Sequence, residues 1–293
     1  MSFVQRNNRL ALGDWINYAV LLMISIVSVF PFTYMFSVSF TDPSVYVPLK
    51  FYLFPEKWSL DAYSYILSND SFLNALKSTL FITVAGTILN LIFTFSMAYG
   101  LTKKNLPARG FIMTCVIFTL VFSAGLVPNY LLVKEFGLIN SYWALIWPNL
   151  TNAWSIIVVK SFMDSLPEEL EESARIDGCN ELGVFFRIII PLSKPALAAF
   201  TLFFAVAHWN TYFNALVYLT DHTKWTLQLL VKSLVMDAGA MGGTGEPIGE
   251  DGELPLETIR MAAIMMAIAP ILLMYPFLQK YFAKGVMLGS VKG

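Results

Sequence analysis

Charged residues are scarce in this chain, and their scarcity excludes an ordinary soluble fold. Asp, Glu, Lys and Arg together make up 13% of the 293 residues, against about 25% in a typical soluble domain. Hydrophobic residues make up 57%, so too little polar surface is available to cover a water-soluble core. The chain is therefore expected to lie in a membrane.

Cysteine, histidine and an excess of either charge are also lacking. The two cysteines, Cys115 and Cys179, cannot form a disulfide framework. The two histidines, His208 and His222, have no Cys, Asp or Glu at metal-ligand spacing, so no metal site is expected. The net charge of −1 gives no reason to expect nucleic acid as a partner.

Six long stretches contain no charged residue at all. They cover residues 15–41, 78–102, 110–133, 136–159, 195–220 and 261–279. A helix of roughly 20 residues crosses the hydrocarbon layer of a bilayer, so each stretch is long enough to span. The first is too long for a signal peptide and has no small-residue cleavage site after it, so it should be retained. The sequence predicts an all-α integral membrane protein with six transmembrane helices in a single domain over residues 1–293.

The distribution of basic residues predicts the orientation. Six spans place both termini on one side, and cytoplasmic termini put 12 of the 19 Lys and Arg residues inside. The short connection 103–109 carries three of them and no acidic residue. Segments 42–77 and 221–257 then become long outer loops, and the second has a glycine-rich middle suited to an excursion into a partner.

The inner segment 165–190 reads as ordered helix rather than loop. Ser165 and Glu168 fit a capping box, with Pro167 in the first turn, where its missing N–H does no harm. Gly178 is expected to end this first helix after about 12 residues, because glycine readily takes the left-handed C′ conformation. An apolar stripe is formed by Leu166, Leu170 and Ala174.

A second short helix should follow the glycine. Asn180 can cap it, and Pro191 is expected to end it. The pair could simply lie on the lipid surface as an interfacial amphipathic element. Four acidic residues within 168–172 disfavour that position at an anionic inner leaflet, so docking against another protein is favoured.

The same segment carries a motif with several fixed offsets. It closely matches the pattern E-A-A-x3-G-x9-I-x-L-P of the membrane subunits of binding-protein-dependent ABC importers. The matching residues are Glu172, Ser173, Ala174, Gly178, Ile188 and Pro191. Asp177 before Gly178 is typical of the carbohydrate-uptake group, while Ser173 and Ile190 depart mildly from the pattern. Over its full length the chain resembles maltose-type permeases, most of all oligosaccharide permeases of the lipoprotein-linked and alginate-importer type.

This resemblance implies a type I importer permease fold in the bacterial cytoplasmic membrane and a set of partners. Helices 165–190 would couple to an ATP-binding subunit, present in two copies, beside a second homologous permease. An extracytoplasmic sugar-binding protein would deliver the substrate, and the tail 284–293 would also touch the ATPase. The chain lacks a glycine-rich phosphate-binding motif. It should therefore be non-catalytic and bind no cofactor, while the partner ATPase uses ATP and magnesium.

Polar residues inside the spans are candidates for the sugar path, because such residues usually face a bundle interior or a water-filled cavity. The candidates are His208, Trp209, Asn210, Tyr212 and Asn214 in the fifth span, with Asn149 and Asn152 in the fourth. Hydrogen bonding between helices is the alternative role of each. Whether the sugar is neutral or anionic stays open, although no cationic residue lies in any of the six stretches.

Two other classes of protein are alternatives to the importer subunit. An ion-coupled secondary transporter of a small polar solute usually needs carboxylates or broken helices at the membrane midplane. A membrane-embedded enzyme should show His, Asp, Glu or Ser groupings within the spans. The six stretches contain no carboxylate, which leaves the secondary transporter as the weaker alternative.

Overall fold

The computed structural model describes residues 12–48, 50–240 and 255–289, and all regular elements within these ranges are helices. The α-helices are α1 (Leu12–Ser39), α2 (Asp61–Ser68), α3 (Asp70–Thr102), α4 (Arg109–Val121), α5 (Leu126–Glu135), α6 (Trp143–Ile146), α7 (Ala153–Asp164), α8 (Glu168–Ile176), α9 (Glu181–Val184), α10 (Ile190–Leu192), α11 (Lys194–Trp209), α12 (Phe213–Tyr218), α13 (Leu227–Ala240) and α14 (Leu256–Gly289). A π-helical turn, Phe185–Ile189, joins α9 to α10.

The chain divides into two compact units. The first unit contains residues 1–68 and 235–266, and the second contains residues 69–234 and 267–293. Most of the glycine-rich stretch predicted to enter a partner lies at 241–254, outside the described residues. The end of the predicted ATPase-contacting tail, residues 290–293, also lies outside them.

Most of the predicted outer loop 42–77, residues 42–68, is folded in the first unit. Asp42 caps a 3-10 turn, Pro43–Val45, by accepting a hydrogen bond from the Ser44 N–H. Hydrogen bonds from Lys57 and then from Ser44 lower the pKa of Asp42 to about 2. The Tyr52 hydroxyl accepts from the Val47 N–H at 2.8 Å, which closes the following turn. These local bonds hold the segment between α1 and α2 in one conformation.

In the second unit, α3 is the central helix and packs extensively against α11 and α7. Its buried residues include a group of small and polar side chains, which are typical where membrane helices approach closely. These are Ser78, Thr79, Gly86, Thr87, Asn90 and Thr94, and larger residues such as Ile82, Phe95 and Tyr99 are buried on the same helix. Asn69 caps α3, which begins eight residues before the predicted boundary at residue 78.

The described residues contain three helices that are long and apolar enough to cross a membrane by themselves, Gly13–Ser39, Asp70–Thr102 and Leu256–Pro276. A fourth crossing results if the bent pair Glu181–Leu192 and Lys194–Trp209 counts as one span. The first, second and sixth predicted spans therefore correspond to long helices. The total of six crossings and the cytoplasmic position of the termini stay predictions.

The other three stretches are not continuous helices in the structure, and whether each crosses the membrane stays a prediction. Stretch 110–133 is interrupted before α5, where Gly125 has a φ of +83°. Stretch 136–159 is mostly non-helical up to α7, because Gly137 and Asn140 adopt left-handed conformations and Asn152 caps a new helix. Stretch 195–220 breaks after α11, where the Asn210 side chain bonds back to a carbonyl of the preceding turn. Charge-free composition allows a span but does not prevent such breaks.

Candidate functional site

The first helix of the motif segment is shorter than predicted. Ser165 belongs to the end of α7, where its hydroxyl donates to the Phe162 carbonyl at 2.6 Å. Pro167 occupies the N-cap position, without a side-chain cap. The predicted capping box between Ser165 and Glu168 is therefore wrong, and α8 has nine residues, about 14 Å of helix.

The glycine elbow forms as the sequence predicts. Gly178 has a φ of +86°, in the left-handed region. Its N–H donates to the Arg175 carbonyl at 3.0 Å, and the Cys179 N–H donates to the Ala174 carbonyl at 2.9 Å. This pair of bonds is the Schellman arrangement that closes a helix C-terminus. A Cβ on Gly178 would meet nothing within 4 Å, so glycine is needed for backbone conformation rather than for space.

The second arm of the segment starts where predicted but ends later. The Asn180 side chain accepts from the Gly183 N–H at 2.8 Å and caps α9. The prediction that Pro191 ends the helix is wrong. Pro191 lies in the first turn of α10, where a missing N–H is tolerated. The wider π turn before it lets the Ile190 N–H reach the Phe185 carbonyl. The chain turns instead at Ser193, with an 82° bend into α11.

Two lysines that follow α3 hold α8 by ion pairs. Lys103 pairs with Glu171, and both side chains are more than three-quarters buried. Lys104 pairs with Glu168 at 2.8 Å on the exposed side of the helix, and this hydrogen bond lowers the pKa of Glu168. Two of the basic residues that predict the orientation of the chain thus also attach the motif segment to the end of α3. No spacing pattern along the chain indicates these pairs, because about 65 residues separate the partners.

A second set of bonds joins the two arms across the elbow. Arg175 on α8 donates to Glu181 on α9 at 2.9 Å and to Glu171 at 3.0 Å. The Tyr99 hydroxyl of α3 donates to the other oxygen of Glu181 at 2.9 Å. The hydrogen bond from Arg175 is the main cause of a lowered pKa at Glu181. The elbow is therefore tied internally and to α3 at once.

An apolar cluster lies beneath these polar contacts. It joins α3, α7, the motif segment and α11, and its buried members are Phe95, Ala98, Tyr99, Val159, Met163, Ala174, Val184, Phe185, Ile189, Ala196, Phe200 and Phe204. Ile188 is half-buried against the same cluster. Two of the motif residues, Ala174 and Ile188, therefore pack the segment onto the helices rather than face outward.

The opposite surface of the segment is exposed, apolar and acidic. Three apolar side chains project from it, with 86% of Ile176, 67% of Leu182 and 63% of Phe186 exposed. The motif residues Glu172, Ser173 and Asp177 are also exposed. Within the described part of the chain, the Glu172 carboxylate makes no hydrogen bond or ion pair. We call the residues Glu172, Ile176, Asp177, Leu182 and Phe186 the elbow surface.

Among the candidate sugar-path residues, His208 forms a contact between helices. Its Nε2 lies 3.2 Å from Oδ1 of Asn90, and both side chains are buried. Asn90 also donates through Nδ2 to the Asn149 carbonyl at 3.0 Å. The Trp209 indole donates to the Ala267 carbonyl at 3.0 Å. His208 and Trp209 thus form hydrogen bonds between packed segments, and their place in the sugar path stays a prediction.

The other candidates are not gathered into one surface with them. Asn152 caps α7 by accepting from the Ser155 N–H at 2.9 Å. The exposed Asn149 and Asn210 side chains donate to carbonyls four residues earlier, in α6 and α11. Tyr212, at the start of α12, packs against an apolar cluster to which α3, α5, α6, α12 and α13 contribute. Asn214 is half-exposed, with no hydrogen bond inside the described ranges.

Comparison with known families identifies this arrangement. Residues 90–288, which include the elbow and α11, match the family described as the binding-protein-dependent transport system inner membrane component. The chain belongs to this family. The resemblance drawn from the motif is confirmed, and the family places the chain in the inner membrane as a transport component that works with a substrate-binding protein.

Individual relatives agree with this assignment. The polygalacturonan/rhamnogalacturonan transport system permease protein YtcP of Bacillus subtilis (strain 168) is 46% identical, over 96% of this chain and 99% of the relative. Protein LplC of the same organism is 44% identical over 96% of this chain and 95% of its own. A chain from the crystal structure of a bacterial ABC transporter involved in the import of the acidic polysaccharide alginate is 30% identical, with a TM-score of 0.85 over 96% of this chain and 100% of that chain. The chain therefore has the fold of an ABC importer permease.

Proposed function

We propose that the chain is one half of the membrane-embedded path of an ATP-driven, binding-protein-dependent importer of an oligosaccharide. Family membership supports the transport role, and the permeases it resembles are named for polygalacturonan, rhamnogalacturonan and alginate. A second homologous permease would complete the path, so that the assembly contains two such chains, two ATP-binding subunits and a sugar-binding protein.

The elbow surface is the observation that carries this proposal. It exposes three large apolar side chains beside Glu172 and Asp177, which form no ion pair within the described residues, while the opposite side is fixed to α3, α7 and α11. A surface of this kind is suited to a cleft of a partner protein, because burying apolar groups there is favourable. Glu172, Ser173 and Asp177 would contact the ATP-binding subunit, Gly178 sets the turn, and Ala174, Ile188 and Pro191 support the segment from within.

The bonds of the elbow support a route for the coupling. Because Lys103, Tyr99 and the apolar cluster join the elbow to α3, a displacement of the elbow by the ATPase would be passed to that helix. The covalent continuation into α11 gives a second route. ATP and magnesium would bind only to the partner subunit, and this chain would be non-catalytic.

The same bonds support the proposed topology. The connection 103–109 and the segment 165–190 are both assigned to the cytoplasmic side by the six-span topology, and the lysines of the first are bonded to glutamates of the second. Two segments in contact must lie on one side of the membrane. The six crossings and cytoplasmic termini therefore form part of the proposal. The candidates for sugar contact remain His208, Trp209, Asn210, Tyr212, Asn214, Asn149 and Asn152.

Co-purification from native membranes tests the coupling role directly. The tagged chain should recover an ATP-binding subunit and a second permease, and sugar-loaded binding protein should stimulate the ATPase activity of the complex. Glu172→Lys reverses a charge on the elbow surface, and Gly178→Arg strains the turn, so both should abolish recovery of the ATPase.

Glu135→Lys is the matched control, since it makes the same charge change at an exposed glutamate that ends α5. This variant should retain the partner subunits. If the wild-type chain is recovered alone, or if all three variants keep the ATPase, the coupling assignment fails. An ion-coupled secondary transporter would then be the remaining candidate.

A further inference from the structure

One cation of the first unit is buried and only partly paired. Arg260 lies about one turn into α14, and its side chain is 12% exposed. Its Nη1 donates to Glu257 at 3.1 Å. Its Nε and Nη2 atoms are buried and find no acceptor among the residues that the structure describes. Burying charged donors without acceptors is costly, so this position is suited to a ligand that supplies them.

The two unpaired atoms form one edge of the guanidinium group. Nε and Nη2 direct their N–H bonds side by side, which is the geometry that holds both oxygens of a carboxylate. Glu257 occupies a different nitrogen and leaves this edge intact. The arrangement therefore presents a complete bidentate donor pair rather than a single spare bond.

Two tyrosines extend the same polar environment. Tyr34 on α1 and Tyr46 before α2 are half-buried, and neither hydroxyl forms a hydrogen bond in the described ranges. Burial and the charge of Glu257 raise the pKa of Tyr46 to about 12, while Arg260 opposes that rise. The Tyr46 hydroxyl thus remains a donor at neutral pH, and its ring lies beside that of Tyr52.

We propose that Arg260, with Tyr34 and Tyr46, forms a subsite for one carboxylate of an acidic sugar, such as a uronic acid unit of the transported oligosaccharide. The inference rests on the proposed function, and it names the substrate class. Arg260 would bind the carboxylate through Nε and Nη2, and the tyrosines would supply hydroxyl donors and ring faces for the sugar.

The charge of the site favours a carboxylate over a phosphate. Glu257 offsets the charge of Arg260, so the local net charge is close to zero and a doubly charged anion would gain little. The Tyr46 hydroxyl interacts electrostatically with Arg260, and a tyrosine ring suits the C–H face of a sugar. An acidic side chain of a partner protein would satisfy the same donors, and the experiment must separate that occupant from the sugar.

Uptake by the complete importer in liposomes separates these occupants. The complex is assembled with its binding protein, and ATP-dependent uptake at subsaturating binding protein is measured for trigalacturonate and for its neutral trimethyl ester. Arg260→Gln should lower the initial rate for trigalacturonate by about tenfold or more and leave the rate for the ester within about twofold. Arg260→Lys should be intermediate, because lysine keeps the charge but not the bidentate edge.

Lys57→Gln is the control, since it removes an exposed cation from the same unit, and it should change neither rate. Equal losses for both probes after Arg260→Gln would overturn the subsite in favour of a structural role, and unchanged rates would overturn it outright. Loss of a partner subunit from the complex would show that a protein carboxylate occupies the donors. If the wild-type complex contains its ATPase but imports neither probe, the proposed oligosaccharide function fails before any variant is compared, and the subsite fails with it.

Discussion

His208 and Asn90 join α11 to α3 through a buried hydrogen bond between Nε2 and Oδ1, 3.2 Å long. Gly86 lies one turn before Asn90 and faces the same imidazole ring. A Cβ on Gly86 would stand 2.5 Å from Nε2, closer than nonbonded atoms can approach. The close approach of α3 and α11 is therefore possible only because Gly86 has no side chain.

Gly86→Ala should destabilise the protein by about 1–3 kcal/mol, because the added methyl group overpacks a rigid ring. Thermal unfolding of the detergent-solubilised chain measures this loss. Gly100→Ala is the control, since it lies in the same helix and its Cβ would meet nothing within 4 Å. The control should be neutral or slightly stabilising because alanine favours helix. Equal stability of the two variants would contradict the close approach.

Gly178→Ala should strain the elbow by about 1–2 kcal/mol, since a residue with a Cβ must take the left-handed conformation there. We expect weaker stimulation of the ATPase by loaded binding protein, with a smaller effect for Gly178→Asn. Gly110→Ala, in an open position of α4, should behave as wild type. The interpretation is wrong if the alanine variant at 178 is stimulated normally.

Charge reversal should reveal the attachment of the elbow to α3. Lys103→Glu and Glu171→Lys should each reduce sugar-stimulated ATPase activity, because each places two like charges side by side in a mostly buried position. The double variant should recover part of it, with a coupling energy near 1 kcal/mol or above. The exposed Lys104–Glu168 pair provides a comparison and should couple by less than about 1 kcal/mol. Absence of recovery in the double variant would exclude the pair from the coupling route.

The elbow should loosen in acid. Its bond to Arg175 lowers the pKa of Glu181 below the ordinary value of 4.5, so ionised Glu181 is favoured in the folded state. Its stabilising effect is present above about pH 4.5 and is lost as the pH falls through the lowered pKa. Hydrogen exchange of α8 amides, corrected for intrinsic rates, should show constant protection from pH 7 to about 4.5 and a decline below that. Glu181→Gln should flatten this dependence, and an unchanged decline would assign it to other carboxylates.

The local features of the motif segment could be read from the sequence because neighbouring residues determine them. Gly178 as a helix end and Asn180 as a cap follow from backbone preferences alone. The start of α8 could not be read, because Ser165 can cap a following helix or close a preceding one. The structure uses its hydroxyl for α7. Pro191 stays within a helix because a π turn precedes it, and no residue pattern announces that turn.

Contacts between residues far apart in the chain could not be predicted from the sequence. From the sequence, Lys103 indicates only the orientation of the chain in the membrane, since nothing near it indicates a pairing with Glu171 on a separate helix. Arg260 was excluded from the sixth charge-free stretch by definition, although it lies within the apolar helix that forms there. Burial and missing partners depend on three-dimensional packing, and composition does not record them.

The 82° bend at Ser193 makes the two helical segments on either side of it the arms of an angled lever. One arm, residues 181–192, is about 18 Å long, and α11 forms the other arm of about 24 Å. Each degree of rotation about the corner moves the far end of α11 by about 0.4 Å, roughly a third more than it moves the tip of the short arm. A displacement of the short arm would thus produce a larger, roughly perpendicular displacement at the end of α11, where His208 and Trp209 lie.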